Sequence, residues 1–189
     1  MQKWIKQVGL FLTTLFLATA CFIAAPSDAQ AGNFEVGGAF GYAAAPDADS
    51  DYDLNGLSFS LHFGYKFLDW VGVAIEQDLG GLFYDKHGLD VDEFYGATIF
   101  EARFYAPLMD KLEFNGKFGI GATYLADSYD GESWDTGWFA IRLGVGLTYY
   151  IMDSLGINLM FDYTPSVANS DDAEDEHFIK LQVGVVYQF

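Results

Sequence analysis

In the stretch "DADSDYD", Asp47, Asp49, Asp51 and Asp53 stand at every second position. Carboxylates are hard oxygen ligands, and D-x-D-x-D is how a calcium-binding loop opens. The rest of such a loop is missing. The sixth position holds Tyr52 where Gly makes the sharp turn, and the twelfth holds Ser58 where a bidentate Glu belongs. The four aspartates, with the acidic run "SDDAEDE", are therefore weak candidates for loose binding of Ca or Mg, and no other cofactor is implied. His62, His87 and His177 are the remaining side chains suited to proton transfer. His62 lies in an alternating apolar stretch. His87 lies among acids in "FYDKHGLD", with Ser128 and Ser133 as nucleophile types in the following acidic stretch, and His177 precedes "FIKL".

The segment ahead of these residues has its own character. Lys3 and Lys6 precede an apolar run from Val8 to Ala25, and Ala29-Gln30-Ala31 is a small-x-small cleavage site. This is the pattern of a secretory signal peptide. Residues 1–31 are expected to be removed, Cys21 with them, leaving residues 32–189 as one domain exported from the cytoplasm. That domain has 158 residues, no cysteine, 26 acidic residues against 7 basic ones, and 30 aromatics. Such acidity excludes nucleic acid as a partner, since binding it needs a basic footprint. The aromatic content excludes disorder.

After residue 31 the apolar residues recur with a period of two, which is the strand signal. In "GLSFSLHFGYKF", Leu57, Phe59, Leu61, Phe63, Tyr65 and Phe67 share one face. Eight such segments are expected, at about 33–43, 56–67, 70–79, 93–105, 111–124, 138–150, 155–164 and 177–189. Their connections alternate: "LDW", "APLMDK" and "IMDS" are tight, while the others are long and acidic. Pro46, Pro107 and Pro165 are expected at strand ends or in connections, where the missing N–H costs least. An even number of long strands, with short turns at one end and long loops at the other, is the plan of an eight-stranded antiparallel up-and-down transmembrane β-barrel.

Charge decides which face looks out. Lys66, Arg103, Lys117, Arg142 and Lys180 all fall on the polar faces, with Glu35, Glu76, Asp78, Glu101, Glu113 and Asp162. Near balance inside strands, against a strongly acidic remainder, fits a lumen in which buried charges must be paired. The same faces are rich in glycine, as a narrow inner wall requires. Aromatics gather at both segment ends: Phe67, Trp70, Tyr105, Tyr149, Tyr150, Tyr187 and Phe189 near the turns, and Tyr42, Phe94, Tyr124, Trp134, Trp138 and Tyr163 near the loops. Two girdles of this kind mark the two edges of a bilayer.

The chain resembles the small outer-membrane β-barrels of Gram-negative bacteria, the OmpA/OmpX-like and opacity-type group. The resemblance rests on the architecture and on the end of the chain, "KLQVGVVYQF". There Leu181, Val183, Val185, Tyr187 and Phe189 look like the signal that barrel-assembly machinery reads in that group. It implies an outer-membrane location, lipid and lipopolysaccharide as surroundings, and a structural or surface-interaction role without enzymatic activity; it leaves the oligomeric state unspecified. Two alternatives remain open. Some eight-stranded barrels modify lipid A acyl chains with His, Ser and a carboxylate, and the OmpW-like barrels are implied to pass small apolar solutes.

Overall fold

The computed structural model describes residues 34–46, 54–84, 93–127, 134–168 and 176–189. Its strands are β1 (Phe34–Ala45), β2 (Leu54–Leu68), β3 (Val71–Tyr84), β4 (Glu93–Met109), β5 (Leu112–Asp127), β6 (Trp134–Met152), β7 (Leu155–Ala168) and β8 (Glu176–Gln188). Each strand pairs with its chain neighbours, and β1 pairs antiparallel with β8, so the sheet closes. Closure is what lets a sheet cross hydrocarbon, because every backbone N–H and C=O finds a partner and no edge is left. The ring is completed at the end of the chain, where the Phe189 amide donates to the Phe34 carbonyl at 2.9 Å.

The alternation is inside out. Arg142 and Lys180 are 0% exposed while Phe100 is 62% exposed. Outward positions are large and apolar on almost every strand, and inward ones are charged, hydroxylated or small.

The strands are longer than the alternation alone marks, from 12 residues in β1 to 19 in β6. About 9–11 residues suffice to cross the bilayer, so the pairing continues past the alternating core at both ends, through "APLM" at the turn end of β4 and "GGLFY" at the loop end of β3. Two prolines are likewise inside strands. Pro107 lies in β4 beside a bulge between Pro107 and Met109. Pro165 lies in β7, and there the β6–β7 ladder runs from Ala140↔Ser166 directly to Leu143↔Tyr163, skipping two pairs. A proline has no N–H to donate, so the barrel accepts a local gap in one seam where the sequence pattern implied a strand end.

At the turn end, each tight turn hands a carbonyl to a later strand. Tyr105 N donates to Trp70 O at 3.0 Å, Tyr150 N to Lys111 O at 2.8 Å, and Gln188 N to Ser154 O at 2.8 Å. Bulges adjoin all three turns. They bend the strands and increase the local twist there.

The lumen as candidate functional site

Inward side chains form three tiers. The middle tier holds most of the charges. Glu76, from β3, accepts from Arg142 Nη1 at 2.9 Å, from Arg103 Nη2 at 2.9 Å and from Lys117 Nζ at 3.0 Å. Asp78, two residues on and therefore on the same face, accepts from Arg142 Nη2 at 2.5 Å and from Lys180 Nζ at 2.7 Å. Arg103 bridges onward to Glu101 at 2.8 Å and Glu35 at 3.0 Å, and Lys117 lies 3.0 Å from Asp162. Four cations thus meet five carboxylates contributed by seven different strands. Of the lumen residues named from the sequence, Glu35, Glu76, Glu101, Arg103, Lys117, Arg142, Asp162 and Lys180 come together here. Lys66 and Glu113 form a separate pair at 3.2 Å nearer the turns.

Small residues make room for this tier. A methyl group at Gly144 would run into Lys117 and Asp162, and one at Gly37 into the His62 ring. At these two positions glycine is required by close approach of a neighbouring side chain.

The turn-end tier is polar and partly open. Tyr105 OH donates to Glu35 Oε1 at 2.8 Å, and Lys66 Nζ sits 3.8 Å from the centre of the Tyr105 ring. Tyr150 OH donates to Glu113 at 3.0 Å and accepts from Gln188 Nε2 at 2.7 Å. These two tyrosines correct the girdle read from the sequence. Both point inward, on the faces that carry Arg103 and Arg142, so strand parity overrides the nearness to the turns on which the girdle reading rests. A cavity of about 20 Å3, room for one water, is lined by residues that include His62 and Asn158. The Nε2 of the first and the Oδ1 of the second have no hydrogen-bond partner among the described residues.

The loop-end tier carries, among the described residues, no charge beyond Asp78 and is capped by apolar side chains. Gln182 Nε2 donates to Ser58 at 2.9 Å and Ser60 donates to Asp78 at 2.6 Å, which covers the charges with a layer of short polar groups. Beyond it Ala43, Ala45, Leu82, Tyr95, Ala97, Ile99, Ala140 and Phe178 form an apolar cluster, with the Tyr95 and Phe178 ring centres 4.5 Å apart. This cluster is not evident from composition. Its one legible mark is parity, since Phe178 shares a face with Lys180 and Gln182.

The other expected sites separate. Leu181, Val183, Val185, Tyr187 and Phe189 are exposed on the outer face of β8, and the Tyr187 and Phe189 rings meet edge to face at 5.0 Å. Phe67, Trp70 and Tyr149 at the turn end, and Tyr42, Phe94 and Tyr163 at the loop end, are also exposed. The candidate metal ligands Asp47, Asp49, Asp51 and Asp53 lie outside the described residues, as do His87, Ser128, Ser133 and the side chains of Trp134 and Trp138. His62 is inside the lumen, 3.9 Å from Glu35. His177 faces outward and stacks on Tyr163, whose hydroxyl is 3.3 Å from Nδ1.

A closed barrel with a charged interior and an apolar exterior can be placed among known proteins. The family model for the outer membrane protein beta-barrel domain matches residues 14–189. The chain belongs to this family. The outer membrane is accordingly its location. Among solved structures it resembles Neisserial surface protein A, with a TM-score of 0.70 at 12% identity, covering 82% of this chain and 97% of that one. It also resembles Ail of Yersinia pestis, with a TM-score of 0.60 at 18% identity over 85% and 100% of the two chains. The N-terminal barrel of Pseudomonas aeruginosa OprF gives 0.54 at 20% identity over 85% and 100%. No curated protein sequence matches the chain. At these identities the structural likeness is one of fold.

Proposed function

We propose that this protein is a closed, non-enzymatic barrel of the outer membrane that acts through its wall and its acidic loops and not through a pore. The carrying observation is the continuity of side chains along the lumen, from the Lys66–Glu113 pair through the Glu76 hub to the apolar cluster. An eight-stranded interior is just wide enough for side chains to fill, and here the middle tier fills it with ion pairs that ions could pass only by breaking. The test is conductance of the refolded barrel in a planar bilayer. No stepwise current is expected, and resolved channel openings in the unmodified protein overturn the reading.

The loops point to cationic partners. In the four long connections Lys86 is the single Lys or Arg among many carboxylates. Ail has been solved with the heparin analogue sucrose octasulfate; the acidic loops here favour the opposite choice, repelling sulfated sugars and drawing divalent cations. Ca or Mg held by groups such as Asp47, Asp49, Asp51 and Asp53 then links the loops to anionic lipopolysaccharide. Calcium titration by calorimetry should give heat that disappears when these four are changed to Asn, and its absence in the wild type removes the cation from the reading. The last strand supplies the assembly address through Phe189 and Tyr187, following export directed by residues 1–31. Against lipid A chemistry stand the placement of His62 inside the lumen and the pairing of His177 with a tyrosine. An unchanged lipid A mass profile on overproduction is expected.

A further inference from the structure

The outer wall is not uniform. In register order across β2 to β5, one row of outward residues reads Tyr65, Val73, Ala102 and Phe118. The next row toward the loops reads Phe63, Ile75, Phe100 and Ile120. Val73 and Ala102 are the small members, and the rings beside them stand high, with Phe100 at 62% exposure. The result is a trough of about 510 Å3 in the apolar face.

The row immediately above it is different in kind, since it places Gln77 beside Thr98 between Leu61 and Ala122. Thr98 Oγ1 donates to Gln77 Oε1 at 2.7 Å, and Gln77 Nε2 donates to the Ala97 carbonyl at 2.8 Å and to Tyr124 OH at 3.3 Å. The Tyr124 ring reaches this pair by lying over Gly96, where a methyl group would collide with it. No described residue accepts the Tyr124 O–H, and the Thr98 hydroxyl oxygen keeps a free lone pair. Seven residues at about 3.3 Å, tilted by roughly 40°, put Gln77 about 18 Å above the Trp70 girdle. An apolar band is about 25 Å tall, so the cluster lies within hydrocarbon on its outer half. A polar side chain at such depth is costly and marks a functional site by default.

We propose that this face binds one acyl-ester membrane lipid, with an acyl chain in the trough and its ester carbonyl accepting the Tyr124 O–H beside Thr98 and Gln77. A slender chain fits the space between the Phe100 and Phe118 rings. The convex wall of a second barrel does not enter it. The polar row gives the amphiphile a fixed register that a uniformly apolar wall lacks.

Native mass spectrometry of the refolded barrel tests this, with 1-palmitoyl-2-oleoyl-phosphatidylethanolamine as probe and its diether analogue, which lacks the carbonyls, as control. One ester lipid per chain should survive collisional activation. Ala102→Phe, which fills the trough, should cut the retained fraction by at least about tenfold, as expected from losing several buried methylenes. Gln77→Leu, with the loss of the hydrogen-bonded cap, should cut it about threefold to tenfold and bring ester and diether lipids to equal retention. Heat-modifiable gel mobility establishes that each variant is folded, and Val73→Phe replaces Ala102→Phe if the latter is not. Equal retention by wild type and the filled variant overturns the proposal, as does equal retention of ester and diether lipid by the wild type. A filled variant that loses only dimer, with lipid retention unchanged, assigns the face to self-association and also overturns it.

Discussion

The two ends of the lumen solve the same packing problem with opposite materials. At the loop end Leu82, Ile99, Phe178 and the ring of Tyr95 are fully buried and ask nothing of their neighbours beyond contact. At the turn end Glu35, Tyr105, Lys66, Glu113 and Tyr150 are tied together by hydrogen bonds, and the Lys66 and Glu113 side chains retain 12% and 14% of their exposure. A charge is cheap to hold where solvent still reaches it and expensive where it does not. The barrel therefore grades from a partly open polar cup at the turn end, through an ionic tier of four cations and five carboxylates, to an apolar cluster at the loop end. On the closed-barrel reading proposed above, the barrier to passage belongs to the ionic tier and the apolar cluster rather than to the cup.

That contrast predicts a ranking. Arg142→Leu is expected to be the most damaging single change, because it takes one of four cations from Glu76 and one of two from Asp78. Removing one member of such a buried set costs about 3–5 kcal/mol, to be read from urea unfolding in detergent followed by tryptophan fluorescence. Phe178→Ala should cost about 3 kcal/mol through the cavity it leaves against Tyr95. It should not by itself produce conductance, because the ionic tier below is untouched; a current in this variant would move the barrier wholly into the apolar cluster. Tyr150→Phe, in the cup, removes hydrogen bonds in a partly solvated place and should cost only about 1 kcal/mol in the same unfolding experiment. If it rivals Arg142→Leu, the cup is not the soft end. The smallest effect is expected at Pro165→Ala. A regained ladder bond of about 1 kcal/mol is largely offset by the more flexible unfolded chain, so net stability should barely move. Hydrogen exchange of the β6 amides near Ile141 and Leu143 should nevertheless slow.

Much of this is legible in the chain itself. Strict alternation in "GLSFSLHFGYKF" and "WFAIRLGVGLTYY" exposes the strands. Five of seven basic residues on the small-residue faces expose the lumen. What parity does not carry is partner choice. Glu76 meets Arg103, Lys117 and Arg142 because strand stagger brings distant strands to one level, and stagger is a property of the closed ring. Proximity to the turns places Tyr105 and Tyr150 in the girdle, but parity puts them on the faces of Arg103 and Arg142, and that is where they point. Pro165 misled for a related reason. A strand held by partners on both sides tolerates a missing donor that local propensity reads as an end.

The pairing of β1 with β8 carries a consequence for how the molecule is made. Seven of the eight seams join strands adjacent in sequence and can form as hairpins while neighbouring residues are still together. The eighth must find a partner about 150 residues away, between Glu35 and Gln188. By polymer statistics that closure costs roughly 2–3 kcal/mol more than bringing together the ends of a hairpin of about ten residues. The whole topological expense of the fold is therefore concentrated in a single late event made by the final strand. Without that seam the chain is an open sheet with two unpaired edges, so the closed wall depends on β8 reaching back to β1.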